Sequence, residues 1–152
     1  MARGKYQMDR IYVSVTADLL HPGHLSFFER AKCFGGTLVV GVCSDEEVSS
    51  YKRAPILNLA ERSLMVSACR IVDEVISPAP AITTKVLIEK FEIDLVVATA
   101  SYSEKTLEQY YGDPKSMGIL KLVPYDKSIS TTQIINRCYH NYVKCNGKLG
   151  SL

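Results

Sequence analysis

The chain has 152 residues, enough for one domain, of which 47% are hydrophobic and 22% charged. This composition excludes a disordered or fibrous chain. The formal net charge is only +2, from 18 basic and 16 acidic residues, so no overall field favours nucleic acid or an anionic membrane. A local cluster of positive charge can still bind a small anion.

In chain order, the patterns predict a strand at 10–15, a helix at 23–34, a strand at 37–43, a short helix at 45–49 and a helix at 58–70. They then predict a strand at 73–77, a turn at 78–80, a helix at 83–91 and a strand at 95–98. The polar, tyrosine-rich stretch 101–118 is predicted to hold one short helix and a mobile loop. A strand at 119–123 and a helix at 130–142 follow.

The cysteines and the apolar runs of the sequence indicate the cellular location to expect. Five cysteines, an odd number without CxxC spacing, indicate neither a disulfide framework nor a zinc site. The first ten residues lack the apolar core of a secretion signal, and no apolar run approaches the ~20 residues of a membrane span. We therefore expect a cytoplasmic location, no membrane insertion, and one domain over 1–152 with flexible ends at 1–9 and 146–152.

The alternation of strands and helices predicts an α/β fold. Its expected form is a Rossmann-like, doubly wound, five-stranded parallel sheet with helices on both faces. Ligands of such sheets bind beyond the carboxyl ends of the strands, where the strand order reverses. We therefore expect the loop after the first strand to carry the chemistry.

That loop reads TADLLHPGH and brings two histidines to the start of a helix. His21 and His24 stand three residues apart, and Gly23 between them leaves room for a ligand. The N–H groups and the dipole of a helix start attract phosphate, and both imidazoles can donate hydrogen bonds to its oxygens. Thr16 and Asp18 end the strand and face the same crevice.

Two other interpretations of the histidine pair stay open. Each ring can simply satisfy a turn, which would be the better interpretation for a single histidine but is less favoured for a pair around Pro-Gly. Metal ligation ranks last, because no carboxylate or third histidine stands nearby in the manner of HExxH, and we predict no protein metal site.

Several motifs carry a family resemblance. DLLHPGH resembles the HxGH signature of the nucleotidylyltransferase superfamily. Tyr51-Lys52, the stretch NLAERSLMVSACRIVDEVI and the segment SISTTQII are similar to motifs of its cytidylyltransferase family. SPAPAITTKVL and DPKSMGIL look closest to the phosphoethanolamine branch of that family. The resemblance covers residues 11–142, in the family's order.

The resemblance implies an enzyme in which a phosphomonoester attacks the α-phosphorus of CTP and pyrophosphate leaves. Phosphoethanolamine is the implied acceptor, and CDP-ethanolamine for phospholipid synthesis the product. A phosphate dianion is already a nucleophile, so such a site needs positioning and charge stabilisation instead of a strong base. By resemblance, the catalytic residues are His21, His24 and Lys52, which hold the α- and β-phosphates.

The resemblance also assigns a nucleotide-binding set: Thr16, Ala17, Asp18, Arg70, Ser130, Thr131 and Thr132. Ser130 is expected at a helix start, as part of a phosphate cradle, as an N-cap, or as both. Asp18 would bind the acceptor's ammonium group or orient a histidine. Arg62 is ambiguous, because it can instead pair with Glu61 or Asp73 on the surface. A Mg²⁺ ion would bridge the triphosphate, held mainly by substrate oxygens and water.

Some positions depart from the family's pattern. Val15 replaces a glycine, Ala100 and Ser101 replace an acidic segment, and Tyr125 replaces an arginine, for which Lys127 is a possible substitute. The second half of the two-half phosphoethanolamine enzymes also lacks the acidic pair, and the chain resembles that half. The alternatives are therefore a phosphocholine or glycerol 3-phosphate enzyme, or a catalytically silent nucleotide-binding module. The family further implies a homodimer; the lysines and tyrosines do not interleave as a nucleic-acid surface would.

Overall fold

A computed structural model describes residues 9–146. The strands are β1 (Arg10–Val15), β2 (Thr37–Cys43), β3 (Glu74–Ala79), β4 (Leu95–Thr99) and β5 (Leu120–Val123). The helices are α1 (Pro22–Lys32), α2 (Asp45–Tyr51), α3 (Leu59–Ser67), α4 (Lys85–Lys90), α5 (Glu104–Ser116) and α6 (Thr131–Asn146). The five strands form one sheet in the order β3-β2-β1-β4-β5, and every neighbouring pair is parallel.

Both faces of the sheet are covered. On one face, Ile11 of β1 belongs to a cluster with Phe28 of α1 and Val66 of α3. On the other face, Tyr12 belongs to a cluster with Leu87 of α4 and further residues of α5. Successive residues of a strand point to opposite faces, so one apolar strand anchors helices on both sides. The predicted doubly wound parallel α/β fold is confirmed.

The strand order reverses at β1. The chain adds β2 and β3 on one side of β1, and β4 and β5 on the other. The crossovers therefore diverge above the carboxyl ends of β1 and β4, which is where this type of sheet leaves a crevice. The loop that follows β1 opens into this crevice, as expected.

The prediction of a mobile loop within 101–118 was wrong. Helix α5 occupies 13 residues of that stretch, with a kink at Tyr111, whose φ is −134° and ψ 22°. Gly112 and Pro114 disfavour a helix locally, but the helix resumes after the kink because Leu107 and Tyr111 are buried against the sheet. Tertiary packing thus overrides the local helix-breaking signal.

Other boundaries also moved. Strand β3 runs past Pro78 to Ala79, where a turn was predicted, and β3 is an edge strand, where proline is tolerated. Helix α3 ends at Ser67 instead of residue 70, and α6 runs to Asn146. The predicted flexible ends lie outside the described residues, except for their inner residues Asp9 and Asn146. Of the helices within 9–146, none has the length and apolar character needed to cross a membrane.

Candidate functional site

The two histidines form the start of α1. The backbone N–H of Gly23 donates to Nδ1 of His21 (3.1 Å), and the N–H of His21 donates to Nδ1 of His24 (3.2 Å). The ring centroids lie 3.9 Å apart. A nitrogen that accepts a hydrogen bond carries no proton, so each neutral ring keeps its proton on Nε2. The helix start therefore presents two imidazole N–H donors of fixed tautomer.

Electrostatics keeps these rings neutral. Burial, and after it the charges of His21 and Lys52, lowers the pKa of His24 to about 4. Burial also lowers the pKa of His21, although the carboxylate of Asp126 acts against it. Both rings are thus uncharged donors near pH 7. The positive charge of the site comes from elsewhere, above all from Lys52.

A second helix start faces the first. A side chain at Gly23 would place its Cβ 2.9 Å from Cε1 of His21 and 3.3 Å from the carbonyl oxygen of Ile129, so any residue other than glycine forces the His21 ring to move. Ser130 caps α6 by accepting the N–H of Gln133 (3.2 Å). The hydroxyl of Thr131 donates to the carbonyl of Asp18 (2.9 Å). Two helix starts therefore point their N–H groups at one crevice.

The crevice is a cavity of about 510 Å³. Its walls include most of the predicted site residues: Asp18, His21, His24, Lys52, Ser130, Thr131 and Thr132. Thr16 lies next to it, in the wall of a second cavity described below. Ala17 is fully buried in the apolar core, with a positive φ of 56°, and lines neither of these two cavities. The catalytic and nucleotide-binding roles assigned by resemblance stay predictions.

Arg70 is not brought into this group. It is exposed and follows α3, in the segment that leads to the amino end of β3. Three residues later, the N–H of Asp73 donates to the carbonyl of Leu38, at the amino-terminal part of β2. Arg70 therefore lies towards the amino ends of the strands, whereas the cavity of this chain lies beyond their carboxyl ends.

Asp18 fastens a neighbouring segment. Its carboxylate accepts the N–H groups of Ile56 (3.0 Å) and Leu57 (3.0 Å) and the guanidinium of Arg53 (3.0 Å). Burial acts to raise the pKa of Asp18, but these donors outweigh it and hold the pKa below its ordinary value. Among the described residues, the carboxylate has no hydrogen bond to either histidine. We call residues 52–57 the Lys52 arm, because Asp18 ties this segment to the histidine loop.

Lys52 begins that arm. It directly follows α2, and its Nζ lies 5.6 Å from the ring centroid of Tyr51. It is exposed towards the open crevice, yet the surrounding protein removes enough water to lower its pKa below the ordinary lysine value. The nearby charges of Arg53 and Arg62 act in the same direction. A flexible cation at this point suits a ligand that carries several anionic oxygens.

The surface interpretation of Arg62 was wrong. Its side chain is fully buried and pairs with the carboxylate of Asp45, neither with Glu61 nor with Asp73. Glu61 instead closes the predicted capping box with Asn58. One signal could have indicated this: Arg62 stands four residues before Val66, on the stripe of α3 that faces the core.

A second cavity, of about 340 Å³, adjoins the first and was not predicted. The two share five wall residues: Ser14, Val15, Lys52, Tyr102 and Tyr111. Four tyrosines line the second cavity: Tyr51, Tyr102, Tyr110 and Tyr111. Their rings pair at 5.7 Å (Tyr51 with Tyr110) and 6.0 Å (Tyr102 with Tyr111) between centroids. No sequence period links α2 to α5, so only the fold brings these rings together.

The departures from the family pattern also line the cavities. Val15 lies in the walls of both. Ser101 shares a hydrogen bond with Thr99 (2.9 Å) at the end of β4, where an acidic segment was missing. Tyr125 and Asp126 border the first cavity near the start of α6. Near the carboxyl end of β4 and the start of α6, the described residues of the cavity wall thus offer mostly hydroxyl groups.

Two helix starts, two imidazole donors and an ammonium group converge on the first cavity. This donor set suits a ligand that carries several anionic oxygens, as a phosphate does. Fold and site together define the class: an α/β protein with a donor-lined cavity beyond the carboxyl edge of a parallel sheet.

Comparison with known proteins defines the family. The model of the cytidylyltransferase-like family matches residues 14–137. The chain is 42% identical over 147 residues to an ethanolamine-phosphate cytidylyltransferase of Arabidopsis thaliana, and 34% over 137 residues to one of Mus musculus. It is 35% identical over 136 residues to choline-phosphate cytidylyltransferase A of Homo sapiens. The chain belongs to the cytidylyltransferase-like family, which confirms the resemblance.

The extent of these matches is uneven. They cover 91%, 86% and 88% of this chain but only 35%, 34% and 37% of the three relatives. The chain thus spans about a third of the length of the curated relatives it matches. A crystal structure of a lipopolysaccharide core biosynthesis protein from Thermoplasma volcanium GSS1 superposes with a TM-score of 0.63 at 22% identity, over 78% of this chain and 99% of that one. This last likeness shows the fold alone.

Proposed function

We propose that the chain transfers the cytidylyl group of CTP to phosphoethanolamine and releases pyrophosphate. The observation that carries the proposal is the convergence of the α1 and α6 starts, with His21, His24 and Lys52, on one cavity. Membership of the cytidylyltransferase-like family and the names of the relatives support CTP as the nucleotide.

The proposed reaction needs no covalent intermediate. A phosphate oxygen of the acceptor forms a bond to the α-phosphorus, and the bond from that phosphorus to the bridging oxygen breaks. Pyrophosphate leaves with the electron pair, and no proton has to be removed from the nucleophile. The Nε2–H groups of His21 and His24 donate to the crowded phosphate oxygens, while Lys52 balances their charge. Thr132 and the N–H groups at the start of α6 hold the remaining phosphates.

Mg²⁺ is proposed as the companion of the triphosphate. Within residues 9–146, no group of three histidine, cysteine or acidic side chains is placed to hold a metal. Of the two carboxylates in the cavity wall, Asp18 is already bonded to the Lys52 arm, which leaves Asp126. This donor set fits an ion held mainly by triphosphate oxygens and water, whose chemistry is to offset phosphate charge.

The second cavity favours an amino-alcohol phosphate over glycerol 3-phosphate as the acceptor. Lys52 lies at the junction of the two cavities, where it can meet the acceptor's phosphate. The tyrosine rings beyond it attract a cation through their π faces. Glu47, whose carboxylate accepts the N–H of Ala81 (3.0 Å), adds a negative charge behind this wall. Phosphocholine satisfies the same chemistry and stays the nearest alternative acceptor.

A silent nucleotide-binding module is the second candidate. The specific observation in its favour is the hydroxyl-lined end of β4, Thr99 and Ser101, together with Tyr125 in place of an arginine. A homodimer, a cytoplasmic location and the lack of a nucleic-acid partner also remain proposals. Family membership supports the first, and the modest net charge supports the last.

A pyrophosphate-release assay separates the two candidates. We expect release with CTP and Mg²⁺ in the presence of phosphoethanolamine, more slowly with phosphocholine, and least with glycerol 3-phosphate. Lys52→Met should lower release roughly 10²–10³-fold. Lys105→Met, on the exposed side of α5, is the matched control that should retain it. Binding of CTP by calorimetry without release from any acceptor would favour the silent module.

A further inference from the structure

One buried guanidinium holds together the segments that surround the cavity. The side chain of Arg62 is fully inaccessible to solvent. Its Nε donates to the carbonyl of Leu57 (3.1 Å), and Nη2 donates to the carbonyl of Cys43 (2.8 Å). Nη1 donates to the carbonyl of Thr16, and Nη2 also pairs with the carboxylate of Asp45. One side chain thus reaches four acceptors.

These acceptors belong to different parts of the site. Thr16 begins the histidine loop, Cys43 ends β2, and Leu57 ends the Lys52 arm. Asp45 is the first residue of α2, the helix that ends immediately before Lys52. The other carboxylate oxygen of Asp45 accepts the N–H of Leu59 (3.1 Å), at the start of α3.

Lys52 is therefore fixed from both directions along the chain. Upstream, α2 is held at its first residue by the pair of Asp45 with Arg62. Downstream, the Lys52 arm is held at Leu57 by Arg62 and by Asp18. The same guanidinium holds the strand end that leads to the histidines. Among the described residues, Arg62 is in the wall of neither cavity, so it acts on a ligand only through these segments.

We infer that Arg62 is a positioning residue, which sets the place of Lys52 relative to His21 and His24. The inference rests on the proposed function in one respect, namely that Lys52 meets substrate phosphate. Arginine suits the task because its planar fork carries five N–H donors that point in different directions. A lysine at this position has its three donors on one atom and cannot reach acceptors on all of these segments.

The first test is a cycle of two substitutions read by the titration of His24 in the NMR spectrum. Burial is the main cause of the low pKa of His24, and the charge of Lys52 contributes to it. Lys52→Ala should therefore raise that pKa. We expect Arg62→Lys to raise it too, because Lys52 moves away, and the double variant should match Lys52→Ala alone. An unchanged pKa of His24 in folded Arg62→Lys protein would overturn the inference.

The control removes a comparable contact far from the cavity. Arg10 makes two hydrogen bonds of 2.7 Å to Glu74, at the amino ends of β1 and β3. Arg10→Lys should lower the melting temperature without moving the titration of His24. Asp45→Asn replaces Arg62→Lys in the cycle if the latter does not fold, with a smaller shift expected in the same direction. A shift in the Arg10 variant equal to that of the Arg62 variant would make the role merely structural.

Turnover gives the second readout. We expect Arg62→Lys to lower kcat about 100-fold, as a misplacement of about 1 Å does, and to change the KM for CTP much less. In the Lys52→Ala background, the same substitution should lower the remaining rate only about twofold, since the group it positions is gone. Equal losses in both backgrounds would contradict the inference. If the wild type shows no turnover at all, the proposed function fails, whereas the titration cycle still decides the role of Arg62.

Discussion

The hydroxyl of Thr131 donates a hydrogen bond to the carbonyl of Asp18, 2.9 Å away, and so joins the start of α6 to the loop before α1. This bond sets the distance between the two helix starts that face the cavity. Thr131→Val keeps the shape of the side chain but removes the donor. We expect a loss of about 1 kcal/mol in the free energy of unfolding and about a tenfold loss of turnover, because one phosphate cradle shifts.

Thr84→Val is the matched control for that variant. Thr84 also stands at a helix start, where its hydroxyl accepts the N–H of Leu87 (3.3 Å), but α4 lies away from the cavity. Thr84→Val should lower the free energy of unfolding by about 1 kcal/mol, as the loss of an N-cap does, and leave turnover unchanged. Urea unfolding and the pyrophosphate assay measure both quantities. Equal turnover losses in the two variants would show that stability alone controls activity.

Gly23→Ala should lower the turnover while it leaves the stability nearly unchanged. The added methyl group would lie 2.9 Å from Cε1 of His21, so the ring must move. Alanine is intrinsically better than glycine in a helix by about 1 kcal/mol, which offsets part of the strain. We therefore expect a free energy of unfolding within about 1 kcal/mol of the wild type, together with at least a roughly tenfold loss of turnover.

Gly112→Ala in α5 provides the comparison. A methyl group there meets only the side chain of Glu108, with Oε1 at 3.5 Å and Cδ at 3.9 Å, both ordinary contacts. This variant should gain up to about 1 kcal/mol of stability and retain full turnover. The prediction for Gly23 fails if the activity of Gly23→Ala is also unchanged.

The sequence predicted the parts of the fold that local patterns encode. The apolar runs of β1 and β2 gave the bounds that the structure has, and the capping box of Asn58 with Glu61 marked the start of α3. The loop with the histidines was placed by the general rule for parallel sheets. These features depend on a few neighbouring residues, so a single sequence contains them.

Features that depend on distant segments were missed. The burial of Arg62 follows from acceptors on three other segments, and the tyrosine cavity joins α2 to α5. Asp18 lies in the cavity wall as expected, but its bonds to the Lys52 arm, 38 residues away at Ile56, were not predicted. No local period contains these contacts. Arg70 was assigned by resemblance alone, and this chain places it away from the cavity.

His24→Asn tests the role of the ring while keeping its structural contact. The amide oxygen of asparagine can accept the N–H of His21 as Nδ1 does, but no donor reaches the position of Nε2. We expect nearly wild-type unfolding and a loss of turnover of about 10²–10³-fold, as for a lost transition-state donor. A large loss of stability in this variant would instead make the ring structural.

The same residue predicts how stability depends on pH. The pKa of His24 is about 4 in the folded chain, below the ordinary histidine value of 6.5. As the pH falls below 6.5, the unfolded chain takes up a proton that the folded chain refuses, so stability decreases until pH 4. The loss attributable to His24 is about 2–3 kcal/mol, and it should be absent in His24→Asn. Urea unfolding at several pH values gives the free energy of unfolding of the wild type and of His24→Asn. The contribution of carboxylate titrations at lower pH is common to both proteins and cancels in the difference.

Tyr110→Leu tests whether the second cavity receives the cationic end of the acceptor. Removing one ring of the pair with Tyr51 takes away a π face worth about 0.5–1 kcal/mol to a bound cation. The KM for phosphoethanolamine should therefore rise roughly 2–5-fold, while the KM for CTP is unchanged. Tyr110→Phe keeps the ring and should behave as the wild type. Glycerol 3-phosphate has no cationic group, so its KM should be the same in the wild type and in both variants. An equal rise in KM for all acceptors in Tyr110→Leu would mean that the ring only shapes the cavity wall.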